Sequence, residues 1–126
     1  MSEPLRGIVL AHAGLAEALI SAVTAIAGDG HGLVAVSNTG CDRAAVVARL
    51  EEAVGGRAAV IFADMPGGSC AFGAGAFVRT HPEVRVVTGV NLAMLLDFVF
   101  HRELPVADAA SRAVETGRAS VGGVDR

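Results

Sequence analysis

The sequence predicts an α/β fold: one domain over residues 1–126, doubly wound, with a mainly parallel sheet of four to five strands and helices on both faces. Three observations carry this expectation. Short, continuous apolar runs alternate with longer segments of helical spacing along the whole chain. Glycines and prolines fall between them. With 126 residues, 52% hydrophobic and 18% charged, the chain is long and apolar enough for one well-filled core. No fixed-period repeat, linker or low-complexity stretch divides it.

The elements follow in order. Gly7-Ile8-Val9-Leu10-Ala11 is an unbroken apolar run, the pattern of a strand buried on both faces. Leu15, Leu19, Val23 and Ile26 then recur at near-helical spacing, and Gly28-Asp29-Gly30 ends that helix. Leu33 to Val36 is a second strand. Asp42 is the expected N-cap of a helix marked by Val46, Val47, Leu50 and Val54 and closed by Gly55-Gly56. Ala58 to Ala63 is a third strand running into Asp64. A Met65-Pro66-Gly67-Gly68 loop leads to a helix over about Ser69 to Arg79. Val84 to Thr88 is a fourth strand. Leu92, Leu95, Leu96 and Val99 mark a helix, Pro105 starts another, and Gly117 closes it. Residues 118–126 read as a weak C-terminal strand or a tail.

Composition narrows the chemistry. All 10 basic residues are Arg, which excludes a Schiff-base, P-loop or receiver-domain lysine. The net charge is -3, the charges are scattered, and Trp and Tyr are absent, so no nucleic-acid surface is expected. Cys41 and Cys70 have neither metal nor redox spacing. Glu3 and Pro4 interrupt any N-terminal signal pattern, and the apolar runs fall short of the ~20 residues of a membrane span. A reducing, cytoplasmic setting is the expectation.

In doubly wound sheets, ligands sit beyond the carboxyl ends of the strands. Those positions here are His12, Ser37 to Gly40, Asp64 to Ser69, and Gly89 to Asn91. His12 ends the first strand and opens a glycine-containing turn into a helix, where free N–H groups favour anions and disfavour an imidazolium. Its bland alternative is a histidine packed at a strand end. Asp64 ends the third strand. If the first and third strands are neighbours, its carboxylate can hold the imidazole Nδ1–H and turn Nε2 outward. Alone it reads as a cap or turn residue. The Gly67-Gly68-Ser69 loop lets backbone approach a ligand closely, although such a loop is also common without one. No GxGxxG occurs. His31, His81 and His101 read as structural or solvated and are too dispersed for a metal site. Cys70 lies near a helix start, a place that can lower a thiol pKa, but reads as small packing.

Gly7 to Glu17, with His12 in its centre, resembles the N-terminal segment of the mannose-family EIIA proteins of the bacterial phosphoenolpyruvate:sugar phosphotransferase system. Phe62-Ala63-Asp64-Met65-Pro66-Gly67-Gly68-Ser69 resembles their aspartate loop, and Val87 to Leu96 is similar to a third hallmark. Cys70 stands where a proline commonly follows, and Ala13 where a glycine or polar residue is frequent. The resemblance implies a phosphotransferase that takes a phosphoryl group from phospho-HPr and passes it to an EIIB partner, expected on a separate chain. His12 matches the phosphorylated residue and Asp64 the carboxylate that orients it. Ser69 and Asn91 match residues around that site, and backbone N–H groups near Gly14 and along Gly67, Gly68 and Ser69 are the expected phosphoryl-binding groups. It further implies a homodimer, often built by exchanging a C-terminal strand, contact with the membrane only through transporter subunits, and no cofactor or metal.

The residues leave other readings open. One is a regulatory phospho-switch without transport. Another is the phosphoryl-donor subunit of a dihydroxyacetone kinase. A third is a small tetrapyrrole chelatase, which needs a second metal-binding histidine and finds only His81. The blandest is an anion-binding module.

Overall fold

The computed structural model describes residues 3–124. Apolar, β-rich runs become strands and the longer amphipathic segments helices, in the order β1 (Arg6–Ala11), α1 (Leu15–Ala27), β2 (Leu33–Ser37), α2 (Arg43–Val54), β3 (Ala59–Ala63), α3 (Gly68–Val78), β4 (Val84–Thr88), α4 (Leu92–Val99) and α5 (Val106–Ala119). The described sheet has four strands, all parallel, in the order β2-β1-β3-β4. The unbroken hydrophobicity of β1 is explained by its central place, with neighbours on both edges and helices on both faces.

Alternation along the strands sorts the core into two layers. Val9, Ala11, Val60, Phe62 and Val87 face α1, α4 and α5. Ile8, Leu10, Ala59, Ile61 and Val84 face α2 and α3. Each fully buried side chain of this kind contributes on the order of 1.5–3 kcal/mol. Phe62 and Phe98 meet edge to face at 5.1 Å and key α4 onto β3.

The chain leaves β1 in one direction to reach β2 and then crosses to the other side of β1 to form β3. The switch in winding therefore falls between β1 and β3, where such folds open a crevice. Asp42 caps α2 as expected, accepting from the Ala45 N–H.

Three expectations change. Leu15 and Ile26 are exposed, at 44% and 61%, because the buried stripe of α1 runs through Ala16 and Val23 with Leu19 and Ile20 beside it. Gly117 does not close α5 but lies inside it, where a Cβ would stand 2.7 Å from Met94 Cε; it is the spot where α5 crosses α4. Pro105 occupies the N-cap of α5 rather than its first turn. Among the described residues the sheet has the lower of the expected strand counts and the C-terminal segment is a tail: residues 118 and 119 extend α5, residues 121–124 are irregular, and 125–126 lie outside the described residues.

A second close helix contact joins α2 and α3. A Cβ on Gly73 would meet Val46 Cγ1 at 2.5 Å and Val46 Cβ at 3.0 Å. A β-branched side chain has little rotamer freedom to retreat. Gly73→Ala is expected to destabilise the fold by about 1–3 kcal/mol, read as a lower urea midpoint, despite the better helix propensity of alanine.

Candidate active site

β1 and β3 pair with Leu10 opposite Ala63, so His12 and Asp64 step off adjacent strand ends. One carboxylate oxygen, Asp64 Oδ2, accepts twice from His12. The backbone N–H donates at 2.9 Å and ring Nδ1 lies at 2.7 Å. A carboxylate can only accept, so Nδ1 carries the proton and Nε2 presents a lone pair. The imidazole is 44% exposed and the carboxylate 9% exposed. The second carboxylate oxygen, Oδ1, is buried without a hydrogen-bond partner.

Burial disfavours the Asp64 carboxylate, but the two bonds from His12 and its charge outweigh this and hold the carboxyl below its usual 3.8. A folded-state pKa that is depressed adds stability at pH values above the unfolded-state pKa. That stability is lost as pH falls through the folded-state value. The stability gap between wild type and Asp64→Asn is therefore expected to hold from neutrality down to about pH 5 and to close below about pH 4, in urea titrations at stepped pH.

The surrounding backbone is arranged for an anion. Gly14 begins α1 and Gly67 begins α3, and neither helix has a side-chain cap. By contrast, α2 and α4 are capped by Asp42 and Asn91. Helix starts left without a side-chain acceptor keep N–H groups for a ligand. Gly68 has φ +88 and adjoins the imidazole; a Cβ there would come within 3.8 Å of His12 Cε1 and 3.9 Å of Nε2. Ala13, between His12 and Gly14, adopts the left-handed region at φ 51. The turn is held by the Ser37 hydroxyl, which donates to the Ala13 carbonyl at 2.9 Å.

Ser69 Oγ accepts from Asn38 Nδ2 at 2.9 Å, and the Asn38 N–H donates to the Ala11 carbonyl. Ser37 and Asn38 thus tie the β2–α2 loop to both the His12 turn and the start of α3. Sequence reasoning placed Ser37 to Gly40 at the sheet edge but gave them no role. Short polar residues ending the strand beside β1 were the available signal.

Asn91 is engaged elsewhere. Its Oδ1 accepts from the Met94 N–H at 3.0 Å and its Nδ2 donates to the Gly117 carbonyl at 3.1 Å, which fastens α4 to α5. Cys70 is buried with Sγ 3.8 Å from His12 Nδ1. Burial, then the Asp64 charge, push its thiol up to about 11, against a weaker opposing bond from Ser69. The full burial agrees with the packing role read from the sequence, and the helix start does not lower the thiol. His81 stacks on Phe77 at 3.7 Å, with Nδ1 on the Phe77 carbonyl at 2.7 Å. It sits beyond the far end of α3, a helix of 11 residues and hence roughly 16 Å long, so it cannot join His12 on one chelated metal. His31 bonds Thr24 and the Leu33 N–H, and His101 bonds the Asp97 carbonyl.

No helix among the described residues is long and apolar enough to cross a membrane. The fold is similar to phosphotransferase system component EIIA from Streptococcus agalactiae, with TM-score 0.87 and 21% identity over 94% of this chain and 96% of that one. It is similar to the mannose/sorbose specific IIA subunit of the phosphotransferase system from Enterococcus faecalis, with TM-score 0.86 and 23% identity over 98% and 97%. A sigma-54 interaction domain protein from Enterococcus faecalis shares it at TM-score 0.74 and 13% identity, over 95% of each chain. At these identities the likeness speaks for the fold. No curated protein matches the chain. The family EIIA-man, described as PTS system fructose IIA component, matches residues 7–115. That span contains β1 apart from Arg6, all elements from α1 to α4, the His12–Asp64 pair and most of α5. The chain belongs to the EIIA-man family, the fructose IIA components of the phosphotransferase system, and with it has the family's part as a phosphocarrier in sugar phosphotransfer.

Proposed function

We propose that His12 is the phosphoacceptor: Nε2 takes a phosphoryl group from phospho-HPr and yields it to an EIIB protein on another chain. The observation that carries this reading is the 2.7 Å contact between His12 Nδ1 and Oδ2 of the largely buried Asp64 side chain, which leaves Nε2 as the outward nucleophile on a 44% exposed ring. An open nucleophile suits exchange between two proteins, because each partner must bring its own histidine or cysteine into line.

In the transfer, the Nε2 lone pair attacks phosphorus as the bond to the donor nitrogen breaks. The imidazole becomes cationic, and Asp64 stabilises that charge through Nδ1–H. Backbone N–H groups around Gly14 and along Gly67, Gly68 and Ser69 take up the equatorial oxygens. The Ser69 hydroxyl, held by Asn38, adds a donor. With both ends of its amide occupied, Asn91 serves this site by fixing the start of α4 rather than by touching the phosphoryl group.

The homodimer belongs to the same proposal. Val121 and Val124 are 77% and 101% exposed in the single chain, apolar residues available for a second copy. Sedimentation of the full chain tests it.

The carrier itself is tested by intact mass after incubation with phosphoenolpyruvate, Enzyme I and HPr. One acid-labile phosphoryl group per chain is expected. No addition with cognate HPr would overturn the reading. A regulatory phospho-switch is the second reading, since the same fold occurs in a sigma-54 interaction domain protein. Transfer onward to an EIIB protein separates the two.

A further inference from the structure

We propose that His12, Asp64 and Cys70 together bind a thiophilic divalent cation, zinc fitting best, and that the bound ion switches the phosphoacceptor off. Three chemically different donors converge: one ligand atom each from His12, Asp64 and Cys70 lies within 4.8 Å of the other two. The imidazole nitrogen is 2.7 Å from the carboxylate oxygen and 3.8 Å from the sulfur. A tetrahedral zinc ion holds N, O and S donors roughly 3.3–3.6 Å apart, a spacing these distances bracket. One thiolate with one imidazole selects zinc over magnesium or calcium. Three protein ligands leave the fourth position to water.

A second observation points the same way. Asp64 Oδ1 is buried with no hydrogen-bond partner, so lone pairs beside the cluster have nothing to bond. The half-exposed imidazole gives the ion its way in, and the fully buried sulfur forms the floor.

The protons balance as follows. The Cys70 thiol loses its proton to solvent as sulfur binds the ion. His12 Nδ1 gives up its proton and coordinates, while Nε2 takes one up. Asp64 is already ionised. One proton is released per ion. Nε2 then carries hydrogen in place of its lone pair and cannot attack phosphorus. The binding stands on geometry alone, whereas the inhibition rests on the phosphoacceptor reading.

The test uses the reduced full chain with cadmium as probe, followed by its thiolate charge-transfer absorption, and zinc as competitor. One ion per chain is expected, with the band lost in Cys70→Ser and kept in Cys41→Ser. Asp64→Asn should weaken binding at least about tenfold. Affinity should fall about tenfold per pH unit on acidification. Zinc should stop phosphorylation of the wild type and leave Cys70→Ser at its own zinc-free rate. Absence of the band in wild type, its persistence in Cys70→Ser, or unchanged affinity in Asp64→Asn would overturn the site. Cadmium binding as described with no phosphorylation of His12 would sink the phosphocarrier reading and leave the cation site standing. Normal phosphorylation with no band would do the reverse.

Discussion

His12→Ala is expected to abolish phosphoryl incorporation from phosphoenolpyruvate, Enzyme I and HPr, with intact mass showing the unmodified chain at any incubation time. The loss should be complete because no other histidine stands beside the uncapped starts of α1 and α3. The ring nitrogens of His31 are committed to Thr24 and the Leu33 N–H, and His81 is stacked on Phe77 beyond the far end of α3. His101 has only Nδ1 engaged, on the Asp97 carbonyl, but it lies just past the C-terminal end of α4, where helix carbonyls disfavour an anion. The fold should survive. The alanine backbone still donates to Asp64 Oδ2, and only the ring bond is lost, at a cost of about 1–3 kcal/mol for a charge-assisted pair. A urea titration of the same sample therefore separates loss of the nucleophile from loss of structure. A wild-type mass gain in the folded variant would move the acceptor to another residue.

The fold was legible because its signals are local and repeated. Buried parallel strands appear as unbroken apolar runs, and Asp42 or Gly55 mark helix ends by chemistry that acts within one turn. What remained hidden depends on contacts between segments. Leu15 and Ile26 fit a helical stripe by spacing, yet only the packing of α1 decides that Ala16 and Val23 face the sheet. Gly117 looks like a stop signal, but its missing Cβ serves the crossing of α4 and α5. For the site, His12 and Asp64 could be paired from sequence once β1 and β3 were placed side by side. The brace from Ser37 and Asn38 could not, since it joins one side chain to backbone and another to a side chain across separate loops. Nor could the direction of the Cys70 pKa be read. Helix position argues for lowering, whereas burial and the Asp64 charge win by proximity that only folding creates.

Asp64→Asn is expected to slow phosphoryl transfer by roughly 10- to 100-fold, the range for a partner that orients and polarises a histidine. The size follows from which contacts the amide can keep. The His12 backbone N–H also points at Oδ2, so the asparagine must present its carbonyl oxygen there. The same oxygen can still accept from Nδ1–H, and the reactive tautomer is preserved. What is removed is the negative charge that stabilises the imidazolium formed as Nε2 bonds to phosphorus. A flipped amide would set N–H against N–H at the backbone and is disfavoured, so the much larger loss of a wrong-tautomer variant is not expected. Asp64→Ala removes the acceptor as well, leaves the His12 N–H unpaired in a half-buried turn, and should lose both rate and about 1–3 kcal/mol of stability. Quench-flow phosphorylation of the two variants, with unfolding midpoints alongside, distinguishes the contributions. A wild-type rate in Asp64→Asn would mean that the carboxylate only holds the loop, and equal rates in the two variants would mean that orientation by the side-chain oxygen contributes nothing.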